Sequence, residues 1–434
     1  MNKKLIALAI AGAFTAPVAM ADNGNVVIYG DIAVSADMVD GGSYNSVITG
    51  PHTGPFMTPA VPGTLYTAPV LAAPNPVYQH SAQRRGRISS NNSFIGFKGS
   101  EDLGNGLNAV WQFENGIALD GQNTNDNGPT AVGGTGLYPT FFGSQSRRNT
   151  FAGLSSKSLG SLTFGVQDSP VKTSTGPMDA FGQHTLADYR SLWGTINGAN
   201  FQSSQSMNGA NIANLRAQNS VLYTSPNMGG FTIKAMGAAQ NEAGNYNGQG
   251  SGATGHYYSL GGIYANGPLF ATLAYEDNRY TTTTSDFDFK NWRTGVGYNF
   301  GGLKVGLAYE RIKGDGTVPA LSTSSVNRDA WYVPISYQMG SNTFKLAYTK
   351  AGKSNQKSST GADLSGSDGA NQWSLGVNHA MSKRTSVYAL YSQVRNDSNG
   401  SYSLGGAGTG IQAVLPGSYG SDPRAVSIGM ITSF

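Results

Sequence analysis

The sequence predicts an all-β fold, a transmembrane antiparallel β-barrel of sixteen strands. Three observations point there. Apolar and small or polar residues alternate at period two in segment after segment of the 434-residue chain. After residue 21, no stretch approaches the ~20 consecutive apolar residues that a spanning helix needs. The connections also alternate in length, short then long, as in a barrel with tight turns at one rim and loops at the other. Composition narrows the function classes further. With no cysteine, the chain has no disulfide scaffold, thiolate metal site or cysteine nucleophile. Five scattered histidines argue against a multi-histidine metal centre, and no cofactor motif is present. A net charge of +4 gives no basic field of the size nucleic acid requires.

The elements follow in chain order. Residues 1–4 are basic, 5–14 are apolar, and Ala19 and Ala21 flank Met20 with the small-x-small spacing of a signal peptidase site. A leader over 1–21 leaves a single barrel domain over 22–434, and removing Lys3 and Lys4 with it lowers the net charge to +2. Expected strands are 26–36, 87–101, 107–115, 146–155, 161–168, 216–225, 230–240 and 256–265. The second half adds 268–277, 290–300, 302–312, 327–338, 342–350, 371–380, 384–395 and 424–434. An even count brings both ends to one side. Leu303, Val305, Leu307 and Tyr309 alternate with Lys304, Gly306, Ala308 and Glu310, and other segments repeat the scheme. A sandwich strand alternates too, but here the small-residue face has too little bulk to fill a core. The expected arrangement therefore puts the apolar face to lipid and the polar face, Lys304 and Glu310 included, to a wet lumen. Tyr29, Tyr275, Tyr298, Tyr309, Tyr337 and Tyr348 are expected in the interfacial aromatic belts. Sixteen strands leave an aqueous channel. The longest connections are 37–86, whose stretch 51–76 carries seven prolines, and 169–215.

Certain motifs go beyond pattern. Ser93-Phe94-Ile95-Gly96-Phe97-Lys98-Gly99-Ser100-Glu101-Asp102-Leu103-Gly104-Asn105-Gly106-Leu107 resembles the second strand and turn of the general trimeric porins of Gram-negative bacteria. Arg148-Asn149-Thr150-Phe151-Ala152-Gly153-Leu154 resembles their fourth strand, and Asn219-Ser220-Val221-Leu222-Tyr223-Thr224-Ser225-Pro226 their sixth. The terminal Phe434 resembles the aromatic signal read by the outer-membrane assembly machinery. The chain departs from the family at Phe94, where relatives often have arginine, and at Thr432, where they often have histidine.

The resemblance implies a homotrimer in outer-membrane lipid, passing ions and small hydrophilic solutes by diffusion. It also implies that the third loop, 168–215, folds into the barrel and sets acidic residues against basic ones on the wall, producing a transverse field. By motif position, Arg148 and Arg216 are expected on that wall and Asp179 on the loop, with Asp188 as a further loop candidate. Alternation points Asp31, Lys98, Gln112 and Glu114 inward. Arg84, Arg85 and Arg87 belong either to a basic mouth or to the first loop. This charge balance favours a weak anion preference. Two other function classes remain open on the residues alone: an adhesin or receptor presenting 51–76, and a barrel hydrolase using His184 with Asp188 or His256 with its tyrosine neighbours. No Gly-x-Ser-x-Gly motif frames either histidine.

Overall fold

The structure is a computed structural model that describes residues 26–47, 77–81, 84–117, 148–196, 216–239, 254–281, 286–318, 323–358, 366–405 and 419–434, with positions 119, 124–125, 128–129, 214 and 414. Residues 1–21 and the proline-rich 51–76 lie outside the described residues.

Five strands precede the third loop: β1 (Val27–Asp40), β2 (Arg85–Ser90, resuming as Phe94–Asp102), β3 (Leu107–Gly116), β4 (Thr150–Ser156) and β5 (Gly160–Asp168). Five more follow it: β6 (Arg216–Thr224), β7 (Phe231–Ala239), β8 (Thr254–Asn266), β9 (Leu269–Thr281) and β10 (Asp286–Asn299). The ring continues through β11 (Leu303–Val318), β12 (Thr323–Met339) and β13 (Asn342–Ala351, resuming as Asn355–Ser358). It ends with β14 (Ala370–Ala380), β15 (Thr385–Asn396) and β16 (Arg424–Ser433). Each strand pairs antiparallel with the next. β16 returns to β1 from Asp31↔Ser433 to Asp40↔Arg424, closing a sixteen-stranded barrel with no free edge.

The alternation holds side by side. On β11, Leu307 is 45% exposed on the outer wall, while Ala308 and Glu310 are fully enclosed within. Outward tyrosines and tryptophans lie directly opposite one another across strands as Tyr275–Trp292, Tyr309–Trp331 and Tyr348–Trp373, with ring centroids 4.4–4.7 Å apart. Tyr298, Phe300, Tyr337 and Phe344 form a second exposed belt near the short turns. From Trp292 to Phe300 is about 27 Å of strand, or about 20 Å of height at a tilt near 40°, close to the apolar band of an outer-membrane barrel. Tyr29 departs from expectation: it faces the lumen, donating its hydroxyl to Glu114 at 2.9 Å under the Lys98 ammonium.

The strands at the loop rim run further than the alternation indicated, reaching Thr281 on β9 and Val318 on β11. Beyond the aromatic belt the outer face carries Arg311, Lys313 and Asp315 while Phe289, Ile312 and Val326 stay buried on the inner one, so ladder hydrogen bonds persist after the lipid-facing apolar stripe has ended. At the opposite rim the chain turns in few residues. Asn105 and Gly106 carry φ +52° and +76°, the left-handed geometry that an Asn-Gly pair tolerates.

Candidate pore constriction

The third loop (L3) enters the barrel at once. Ser169 caps a single helical turn, α1 (Pro170–Ser174), accepting from Lys172 N–H at 3.0 Å with Pro170 at its first position. Val171 packs on Ala274 of β9, and its N–H donates to Ser259 of β8 at 3.3 Å. Met178 fills the space above Gly295 and Gly306, where a Cβ would come within 2.6–2.8 Å of its thioether. Tyr189 stacks on Tyr332 at 4.3 Å, and Trp193 meets both rings edge-on. L3 thus lies against the inner wall of β8–β15, burying an apolar cluster of Met178, Phe181, Tyr189, Trp193, Ala308 and Tyr332. A second cluster joins Leu186 and Leu192 to Tyr402, Leu404 and Val414 from the last loop, so that loop also tucks into the mouth.

A buried charge ladder anchors L3. Glu310 of β11 accepts from Arg293 Nε at 2.7 Å, from Arg328 Nη2 and from the Gly194 N–H of the loop at 2.9 Å. Arg328 also donates to the Leu192 carbonyl, and Arg293 to Asn214 at 2.9 Å. On β9, Glu276 accepts from Tyr257 at 2.7 Å. Glu276, Arg293 and Glu310 are wholly enclosed. Charges in a dry site are tolerable when paired, as Arg293 and Glu310 are; Glu276 keeps one oxygen, Oε1, without a hydrogen-bond partner among the described residues. Glu310 was expected on a wet face; L3 covers it instead. Glu276, Arg293 and Arg328 escaped the sequence reading altogether. The available signal was opposite charges at inward positions in register, Arg293↔Glu310.

The other side of the lumen is walled by β1–β7, and most of the expected charges lie there. Arg148 stacks over Phe94 at 4.1 Å, donates to Asn92 Oδ1 at 2.5 Å and lies 3.6 Å from Glu114. Arg216 and Lys172 both reach Asp168 at 2.8 Å, at the root of L3. Burial, with the Arg216 charge beside it, lowers Lys172 to about 8. Lys98 is exposed over the Tyr29 ring. Asp31 accepts from Ser433 at 2.6 Å and lies 3.3 Å from His184 of L3. Arg87 meets Asp37 on the inner wall, whereas Arg84 meets Asp40 on the outer one.

The two loop carboxylates differ. Asp179 accepts from the Phe181 N–H at 3.0 Å, but its Oδ2 is buried with no hydrogen-bond partner among the described residues. Burial and the nearby Asp188 charge push Asp179 up to about 6. Asp188 is fully enclosed, capping the turn Tyr189–Ser191 and paired with Arg190, so it faces the interior of the loop. His184 also meets Asp31 and not Asp188. Among the described residues, no cluster of three metal-ligating side chains occurs.

A model of the Gram-negative porin family matches residues 7–399. The chain belongs to the Gram-negative porin family. An outer membrane porin protein of Bordetella pertussis is 29% identical over 344 residues, covering 74% of this chain and 81% of that relative. Among solved structures, the anion-selective porin from Comamonas acidovorans shares the fold at TM-score 0.64 and 20% identity, over 95% of this chain and all of that one. The trimer form of OmpT of Vibrio cholerae does so at TM-score 0.57 and 16% identity, over 95% of this chain and 100% of its own. This porin is therefore a channel protein of the cell outer membrane and not an enzyme.

Proposed function

We propose that this porin is a diffusion pore for small hydrophilic solutes with a weak preference for anions, its narrow section lying between L3 and the β1–β7 wall. One observation carries the sign. The wall carboxylates Glu114 and Asp168 are held by Arg148, Arg216 and Lys172. Lys98, Lys234 and Lys345 point inward with no carboxylate at ion-pair distance among the described residues, and Asp179 is the main acid set against them. Potential is focused where walls of low dielectric constant approach each other. Of the expected constriction residues, Arg148, Arg216, Asp179, Asp31, Lys98 and Glu114 act on the solute in this reading, and Asp188 acts through the shape of the loop. The chain is exported with 1–21 as its leader. It works as a homotrimer, as the trimer form of the Vibrio cholerae neighbour suggests. Phe434, whose backbone pairs with Gly30 while its ring is exposed, is the signal offered to the assembly machinery. The zero-current potential of the wild-type pore in a KCl gradient tests the sign: anion preference supports the reading, and cation preference at 0.1 M refutes it.

A further inference from the structure

We propose that His184 is a specificity-determining cation of the pore, a doubly protonated ring that latches the tip of L3 to the β1–β2 wall. The inference rests on the reading that L3 borders the permeation path. His184 Nδ1 lies 2.9 Å from the Asn91 carbonyl oxygen, and Nε2 lies 3.3 Å from Asp31 Oδ2. Both partners are acceptors. A carbonyl carries no proton, and the other oxygen of Asp31 already receives the Ser433 hydroxyl at 2.6 Å. A neutral imidazole has a single N–H, so its second nitrogen would turn a lone pair toward an oxygen. Only the imidazolium donates to both.

The fold prepares the site on both sides. β2 is broken between Ser90 and Phe94, with Asn92 at φ +56°, and the break presents the Asn91 carbonyl to the loop. On the loop, Gly182 at φ +74° turns the chain just before Gln183 and His184. The charged groups around the ring are Asp31 on β1, the Glu114–Arg148 pair from β3 and the start of β4, and Asp179 and the Asp188–Arg190 pair on L3 itself. Losing the proton removes one positive charge beside Asp31 and one of the two hydrogen bonds that hold the tip. A ring without that proton therefore gives a lower anion preference.

The test is the zero-current potential of the full-length pore in planar bilayers at 0.1 M KCl, from pH 5 to 7.5, which stops short of the range in which Lys172, lowered to about 8, loses its proton. It is run on D179N, which removes the overlapping titration of Asp179. D179N should keep a step in which the anion-to-cation permeability ratio falls by about twofold as the pH rises. Adding H184Q should abolish the step and hold the ratio at its alkaline limit. Adding H184K, which stays charged across the range, should abolish it and hold the acidic limit. A step that survives either histidine variant, or its absence while His184 is present, overturns the proposal. Absence of conductance in the wild-type pore would contradict the channel reading instead.

Discussion

Replacing Glu310 by glutamine should unseat L3 without opening the barrel. Glu310 neutralises both Arg293 and Arg328 in a fully enclosed site and also receives the Gly194 N–H at 2.9 Å. Removing one partner of a buried ion pair costs about 3–5 kcal/mol, because the charge left behind stays desolvated. Here two guanidiniums lose their counter-charge. They can recover solvation only if the returning limb of L3, Leu192–Ile196, lifts from the wall. At about 1.4 kcal/mol per decade, even the lower figure raises the unseated population about 100-fold. Because the chain has no cysteine, a single introduced thiol reports this cleanly. Thr195 is 3% exposed, adjoins Gly194 and has no partner for its hydroxyl among the described residues, so T195C is close to isosteric. Its reaction with a small water-soluble thiol reagent should be slow in the wild-type background and faster by about two decades in E310Q. The pairing of β16 with β1, and hence heat-resistant migration of the folded barrel, should persist. Equal labelling rates in the two backgrounds would refute the claim that the ladder holds the loop.

The remaining predictions concern charge and assembly. Neutralising Arg148 and Arg216 together (R148Q/R216Q) should lower the anion-to-cation ratio by roughly twofold at 0.1 M, where charge is felt over ~10 Å, and much less at 1 M, where it is felt over ~3 Å; an unmoved potential at low salt would remove both from the constriction. Asp179 is pushed up to about 6, so it is neutral below that pH and anionic above it. Anion preference should therefore strengthen as the pH falls through 6, and D179N should lose that component in the same reversal-potential titration. Deleting Phe434 should cut the outer-membrane yield several-fold and leave protease-sensitive periplasmic material, measured by fractionation and immunoblot; unchanged yield at high and low expression would argue against the signal.

The barrel was legible because its physics is local and repeated. Every strand carries its own alternation, so Leu307 against Ala308 reads the same way as Trp331 against Tyr332. The loop rim was less legible, since above the lipid the outer face turns charged, as at Arg311 and Lys313, and the apolar stripe ends while the hydrogen bonds continue. Tyr29 misled because an aromatic ring on a strand serves a belt or a lumen equally well, and Glu114 across the strands decides which. The inner wall was the least legible part. A folded-in loop turns a solvated face into a core, so Glu310 looks like a pore-facing acid until L3 covers it. The same long-range packing encloses Asp188, whose loop position alone resembles that of Asp179. His184 was visible only as a loop histidine close to Asp188 in sequence, because its actual partners Asp31 and Asn91 are remote in sequence and meet it only in the folded barrel.

The central claim is that solute passes between L3 and the β1–β7 wall, and not behind the loop. Single-channel current during modification by a charged methanethiosulfonate reagent tests it at two positions. Gln183 is exposed at the loop tip, whereas Ala308 is 1% exposed on the wall that L3 covers. Modifying Q183C should reduce the current in discrete steps, and the same reagent should leave A308C unchanged. Block at A308C with Q183C unaffected would place the path on the wrong side of the loop and contradict the account.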